Sequence, residues 1–296
     1  MNRRTVTIAG VLCAVLLAGS MLTLAQVENA RGPEASLEEI LYLPSSTAVK
    51  RLSLGYSGLL ADVYWTRAVQ YFGNKRMQHS RRYDLLDPLL NITTDLDPQL
   101  IIAYDDGAIF LAEPTPAGAG QPDKAVALLE KGLRNNPEYW RMYFTMGFIH
   151  YLERHDYKAA EQAFQRGSEV PGALPWMKVM AARMAENAAD RGTAIALWEA
   201  VYETNTEKMI RETAMSHILS LQADAGIEKL EQSVQAYRAR TGRLPVNWME
   251  MVRAGFLPGI PQDPAGDTYQ LLPDGTVHVE KPEQFPFLGQ AGGNQK

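Results

Sequence analysis

Cysteine is almost missing from this 296-residue chain: Cys13 is the only one, and it lies in an N-terminal apolar run. An internal disulfide and a cysteine-based metal site are therefore both excluded. Excess positive charge is missing as well. The net charge is −5, which leaves no global basic field to make nucleic acid the main partner. Catalytic motifs are missing too, with no G-x-S-x-G, P-loop, H-E-x-x-H or dinucleotide fingerprint in the sequence. The five histidines, His79, His150, His155, His217 and His278, are scattered without ligand spacing, and the adjacent Asp105 and Asp106 diverge on a helix. With no base, nucleophile or metal constellation, the expectation is a non-enzymatic protein that needs no cofactor, metal or small-molecule substrate.

What is present begins with the only long uncharged run. Thr5 to Ala25 carry no charge over 21 residues and follow the positive flank of Arg3 and Arg4. A cleavable signal has an apolar core of about 7–15 residues, whereas about 20 span a bilayer. Residues 1–25 therefore read as a signal anchor, or alternatively as a removed signal peptide. Either way the remainder is translocated and the arginines stay inside. The expected location is a bacterial inner membrane, held through residues 5–25 with the bulk periplasmic. Cleavage would instead give a periplasmic or secreted chain. Residues 26–46 are polar and then punctuated by proline, and they read as a linker.

From Thr47 to Leu221 the pattern is helical. A long run from Thr47 to Gly73 is followed by the basic segment Asn74 to Arg82, expected as a loop, and by a helix around Leu86 and Leu90. Ala103 to Ala112 reads as a further helix, and Glu113 to Pro122, rich in proline and glycine, as a non-helical insertion. Further hairpins are expected over Glu138 to Val170 and Leu174 to Thr204, with a capping helix from Glu207 to Leu221. One spacing organises them. Ala125, Ala160 and Ala194 lie 35 and 34 residues apart, and Leu129, Phe164 and Trp198 each follow by four. A small and a bulky residue thus share one face of successive second helices, which lets hairpins pack closely and fill the gap to the next. Together with Tyr143-x-x-Met146-Gly147-x-x-His150 and Pro171, this resembles the tetratricopeptide repeat (TPR) family. The resemblance implies a mainly α superhelix of about four hairpins. Its concave wall, made by the first helix of each pair, would bind a protein or peptide partner. Carried over by position, that wall would present Arg67, Gln70, Tyr104, Asp105, Arg141, Phe144, Phe148, Tyr151 and Arg183. Phe144, Phe148 and Tyr151 would form a solvent-facing stripe at i, i+4 and i+7.

After Gln222 the character changes. A helical stripe of Ile227, Leu230, Val234 and Tyr237 ends at Thr241-Gly242. Leu244-Pro245, a short helix from Trp248 to Ala254, Gly255-Phe256-Leu257 and Pro261-Gln262-Asp263-Pro264-Ala265-Gly266 follow. Two short strands, Tyr269 to Leu272 and Thr276 to Glu280, flank the turn Pro273-Asp274-Gly275. This order resembles the soluble part of type II secretion major pseudopilins and implies a small α+β module over residues 222–281. Ala265 stands where that family usually has Trp, and no apolar pilin stem precedes the helix. The resemblance would place calcium near Asp263, Asp267 and Asp274, but three carboxylates in such a segment read first as turn formers. Residues 282–296 read as a flexible tail. The whole implies a membrane-tethered scaffold in a type II secretion or type IV pilus system. The alternatives are a generic envelope adaptor or an envelope enzyme with an unrecognised site.

Overall fold

The computed structural model describes Gly19 and residues 45–290, and it is mainly α-helical. The anchor or signal over residues 1–25 and nearly all of the 26–46 linker lie outside the described residues. Among the described residues no helix is long and apolar enough to cross a membrane. Among residues 45–290 eleven α-helices run in order: α1 Ser46–Leu52, α2 Ser57–Met77, α3 Leu86–Leu96, α4 Ile101–Ala112, α5 Pro122–Asn135, α6 Trp140–Phe148, α7 Tyr157–Ser168, α8 Trp176–Asn187, α9 Arg191–Thr204, α10 Lys208–Thr241 and α11 Trp248–Arg253. The helices pack in pairs, α2 with α3, α4 with α5, α6 with α7 and α8 with α9, and each pair lies against the next.

The turns inside the hairpins share one construction. Gly120, His155 and Ala189 take left-handed backbone at φ 62°, 51° and 56°, and each precedes the first residue before a helix. In two of the three that residue is an aspartate cap. The side chain of Asp156 accepts from Ala159 N at 2.9 Å, and that of Asp190 accepts from Thr193 N at 3.1 Å. Each satisfies one of the orphan amides at a helix start. The third, α5, begins at Pro122, which has no amide to satisfy.

The seams between hairpins share a construction too. A Cβ on Gly132 would lie 2.6 Å from Met142 Sδ and 2.8 Å from Tyr104 Cγ. A Cβ on Gly167 would collide with Met177 Cε and lie 2.6 Å from Tyr143 Cβ. Gly132 and Gly167 are 35 residues apart, as are Met142 and Met177, and both methionines are fully buried. The glycines let the following helix approach, and the methionines fill the space created. Ala125, Ala160 and Ala194 are fully buried on the same second helices. Gly132→Val should therefore push α5 from α4 and α6 and destabilise the chain by about 1–3 kcal/mol. The check is a urea midpoint; an unchanged value would mean that the seam is looser than its distances indicate.

Several expected boundaries move. The helical run from Thr47 to Gly73 is broken, because Leu54 and Gly55 both have positive φ, at 49° and 94°. Beyond the break α2 continues to Met77, so the basic segment begins inside the helix rather than in a loop. The capping helix and the module helix are one element, since the 34-residue α10 passes through Gln222 without interruption. Its first half buries Ala214, Ile218 and Leu221 against Trp198 and Val201. Its second half buries Leu230, Val234 and Tyr237 against Trp248, Met251, Tyr269 and Val277. The helix ends at Gly242, whose φ of 78° is the left-handed stop that glycine accepts. The strands are shorter than expected. β1 Gln270–Leu271 and β2 Val277–His278 pair antiparallel, with Leu271 opposite Val277.

The expected flexible tail is also corrected over residues 282–290. Pro282–Gln284 form a 3-10 turn, Phe285 is 2% exposed, and Phe287 stacks on His217 at 3.5 Å. Phe287 N donates to Ser220 Oγ at 3.2 Å, and Gly289 N donates to the Asp224 carboxylate at 3.0 Å. Two aromatic anchors and two backbone bonds thus fix a stretch whose composition is polar and proline-rich. Residues 291–296 lie outside the described residues.

Candidate partner-binding surface

The expected concave wall divides in two. Tyr104 is fully buried and Asp105 is 7% exposed. The reason lies in the seam: Gly132 admits the Tyr104 ring, and Tyr104 Oη donates to Thr94 O at 3.4 Å. Asp105 accepts from Thr145 Oγ1 and faces Arg141 Nε at 3.7 Å, so its charge is satisfied internally. Neither residue can meet a partner. Arg141 is on the surface but is turned toward Asp105.

The aromatic stripe is corrected as well. Phe144 meets Phe148 at 4.9 Å and Trp176 at 5.3 Å, and Phe148 meets Phe164 at 5.2 Å, all edge to face. Tyr151 lies 6.0 Å from Tyr157. These rings are half-buried because they fill the seam that joins α6 to α7 and α8. They are packing first, and each is only partly exposed. Arg67, stacked over Tyr64 at 5.5 Å, remains exposed, as do Gln70 and Arg183. The structure brings Arg141 to Asp105 and Phe144 to Phe148, but it does not assemble all nine residues into one surface.

The neighbouring face of α6 carries a feature that sequence reasoning missed. Tyr143, Met146 and His150 line a groove of about 540 Å³ between α5 and α7. Glu130 and Arg134 come from α5, Gln162 and Arg166 from α7, and Arg154 from the turn between α6 and α7. The segment just before Arg154, Ile149–Glu153, is π-helical, a widening found often at functional sites. Arg154 Nε lies 3.3 Å from Asp123 Oδ1. Arg134 and Arg166 are exposed and have no ion pair among the described residues. With Arg154 matched to Asp123, Arg134 and Arg166 against the lining carboxylate of Glu130 leave the groove net positive on an otherwise acidic protein.

His150 is the buried polar group of that groove. It is 7% exposed, and its Nδ1 is enclosed without a hydrogen-bond partner among the described residues. Burial first, and the nearby charge of Arg154 second, hold its pKa below the usual histidine value. At neutral pH the ring is therefore neutral, with one donor and one acceptor nitrogen. In sequence His150 stands out only as an unusual occupant of an aromatic slot. The arginines give no local signal, because α5, the π-turn and α7 converge only once the hairpins stack.

The second polar cluster sits at the junction of α8, α9 and α10. Glu186 Oε1 accepts from Trp198 Nε1 at 2.7 Å and bonds His217 Nδ1 at 2.8 Å. The His217 ring lies between Trp198 at 4.1 Å and Phe287 at 3.5 Å. All three polar residues are buried, so the cluster acts as a structural bond between the helices and the C-terminal segment.

Asp263, Asp267 and Asp274 make separate contacts instead of one cage. Asp263 caps its own turn through Ala265 N and Asp267 N, Asp267 pairs with Lys281 at 2.9 Å, and Asp274 accepts from Thr276 N. Among the described residues no group of three or more histidines, cysteines or carboxylates is placed to hold a metal. Comparison of the chain with protein-family models and with curated proteins finds no match.

Proposed function

We propose that this chain is a non-enzymatic scaffold of the tetratricopeptide kind, tethered to the bacterial inner membrane through residues 5–25, that binds a protein partner in the periplasm. The observation that carries the reading is periodic construction. Left-handed turn residues and buried alanines recur at 35 and 34 residues, and the glycine–methionine seam recurs at 35. Stacked hairpins of this kind present grooves between successive helices, and their common use is to hold a segment of another protein. The groove beside His150 and the partly exposed Phe144–Trp176 cluster are the surfaces available for that purpose. The pseudopilin-like order of elements after Gln222 ties the proposal to a type II secretion or type IV pilus system. The unbroken α10 supports the two parts acting together, because one helix contributes to the core of both.

The test is chemical crosslinking in intact cells, followed by identification of what is joined to the full-length chain in carbonate-washed membranes. The proposal expects discrete adducts with envelope proteins and retention of the chain in the membrane. A soluble chain beginning near Gln26 would remove the tether. The absence of any adduct would remove the scaffold role.

A further inference from the structure

We infer that the groove between α5, α6 and α7 is a site for an acidic, partly apolar peptide segment, which is the chemistry of the partner that the scaffold reading requires. Four features of the groove point the same way. Arg134 and Arg166 stand on its two flanking helices with no ion pair of their own among the described residues, so their guanidinium groups are available to a ligand. A guanidinium presents a planar fork of donors that matches a carboxylate in two parallel hydrogen bonds. His150 is the third. It is more than nine-tenths buried, lines the groove, and has an enclosed ring nitrogen without a partner. Buried polar groups are normally satisfied, and an unsatisfied one in the wall of the groove leaves bonding capacity that a small turn of the His150 ring would bring to a ligand. The fourth feature is the apolar part of the lining, supplied by Val126, Leu133, Met146 and Ala163.

These features select among anions. A free phosphate would engage the arginines and leave the apolar lining uncovered. A nucleic acid would need a basic surface extending well past the groove, and the chain as a whole is acidic, at −5. A peptide that alternates carboxylate and aliphatic side chains meets both requirements at once. The carboxylates reach Arg134 and Arg166, and the aliphatic groups cover Leu133 and Met146. Arg154 is already matched to Asp123 and contributes field more than contact. Glu130 is the one lining group that opposes an acidic ligand, and it is outnumbered.

The experiment is a fluorescence-anisotropy titration of the full-length chain, reconstituted in nanodiscs, with a short labelled peptide alternating Glu and Leu. A Gln–Leu peptide serves as the neutral control. The site predicts that the acidic peptide binds at least about tenfold more tightly than the neutral one, with the difference shrinking as salt is added. Arg134→Ala combined with Arg166→Ala should cost the acidic peptide about tenfold or more and leave the neutral peptide unchanged. Both side chains are exposed, so far-UV circular dichroism should show that the double variant is folded. His150→Phe should also weaken the acidic peptide, whereas equal binding by that variant and the parent would remove His150 from the site. Equal affinity for the two peptides, or a double variant that binds normally, would overturn the inference. Displacement of the peptide by equimolar inorganic phosphate would overturn the peptide assignment in favour of a simple anion site. The outcome is separable from that of the scaffold reading. A partner that crosslinks in cells regardless of Arg134 and Arg166 would reject this groove and keep the scaffold. A groove that binds the peptide in a chain with no cellular partner would do the opposite.

Discussion

Ala160→Glu should destabilise the chain by about 4 kcal/mol and unfold the hairpin formed by α6 and α7. Ala160 is fully buried on α7, in the cluster that holds Phe164, Met177, Ala181 and Met184. The nearest cation on α7 is not available to follow a carboxylate into that space. Lys158, the nearest in sequence, is already shared between Glu161 at 3.0 Å and Asp190 at 2.9 Å. The new side chain must therefore either carry an unpaired charge into an apolar seam or force the helices apart, and both outcomes are costly. Gln162→Glu is the control, because Gln162 is exposed on the same helix and the change adds the same charge. Urea unfolding followed by circular dichroism should separate the two widely. Equal midpoints would mean that α7 does not present Ala160 to α8, and the assigned register would fail.

Glu186→Ala is expected to cost about 2–4 kcal/mol, through a different route. One oxygen of Glu186 serves two partners, Trp198 Nε1 and His217 Nδ1, and the substitution leaves both buried without an acceptor. The loss should spread to the C-terminal segment, since Phe287 rests on the His217 ring. Hydrogen exchange should show the Phe287 and Gly289 amides, which bond to Ser220 and Asp224, opening sooner than in the parent. Glu186→Gln keeps an acceptor of the same reach and should cost about 1 kcal/mol. A Glu186→Ala protein with unaltered exchange at Phe287 and Gly289 would show that the segment is held independently of the His217 stack.

These two sites also show where the sequence is informative and where it is not. The alanine and bulky-residue spacing reports burial directly, because a helix facing another helix must alternate small and large side chains on one face. The caps and the left-handed turn residues follow from local backbone chemistry. The continuity of α10 does not. Gln222 reads as a boundary because the buried face changes there from one core to the next. No proline interrupts the run, however, and Gly226 is required only because Tyr269 packs against it. The docking of residues 282–290 is hidden for a related reason: the groups that hold Phe287 and Gly289 lie 67 and 65 positions earlier in the chain. Asp105 illustrates the opposite error. A carboxylate on a first helix reads as surface, yet Thr145 and Arg141, well over thirty residues away, satisfy it inside the seam. The arginine groove was invisible because its three guanidinium groups come from three separate segments.

The groove between α5, α6 and α7 is the proposed place where another protein is held. A photo-crosslinking residue placed at Gln162 inside the groove, and separately at Met209 near the start of α10, tests this in intact cells. A groove that holds a partner gives a discrete protein adduct from Gln162, none of the same size from Met209, and loss of the Gln162 adduct when Arg134 and Arg166 are both changed to Glu. An adduct equally strong from both positions, or one at Gln162 that survives the charge reversal, would contradict it.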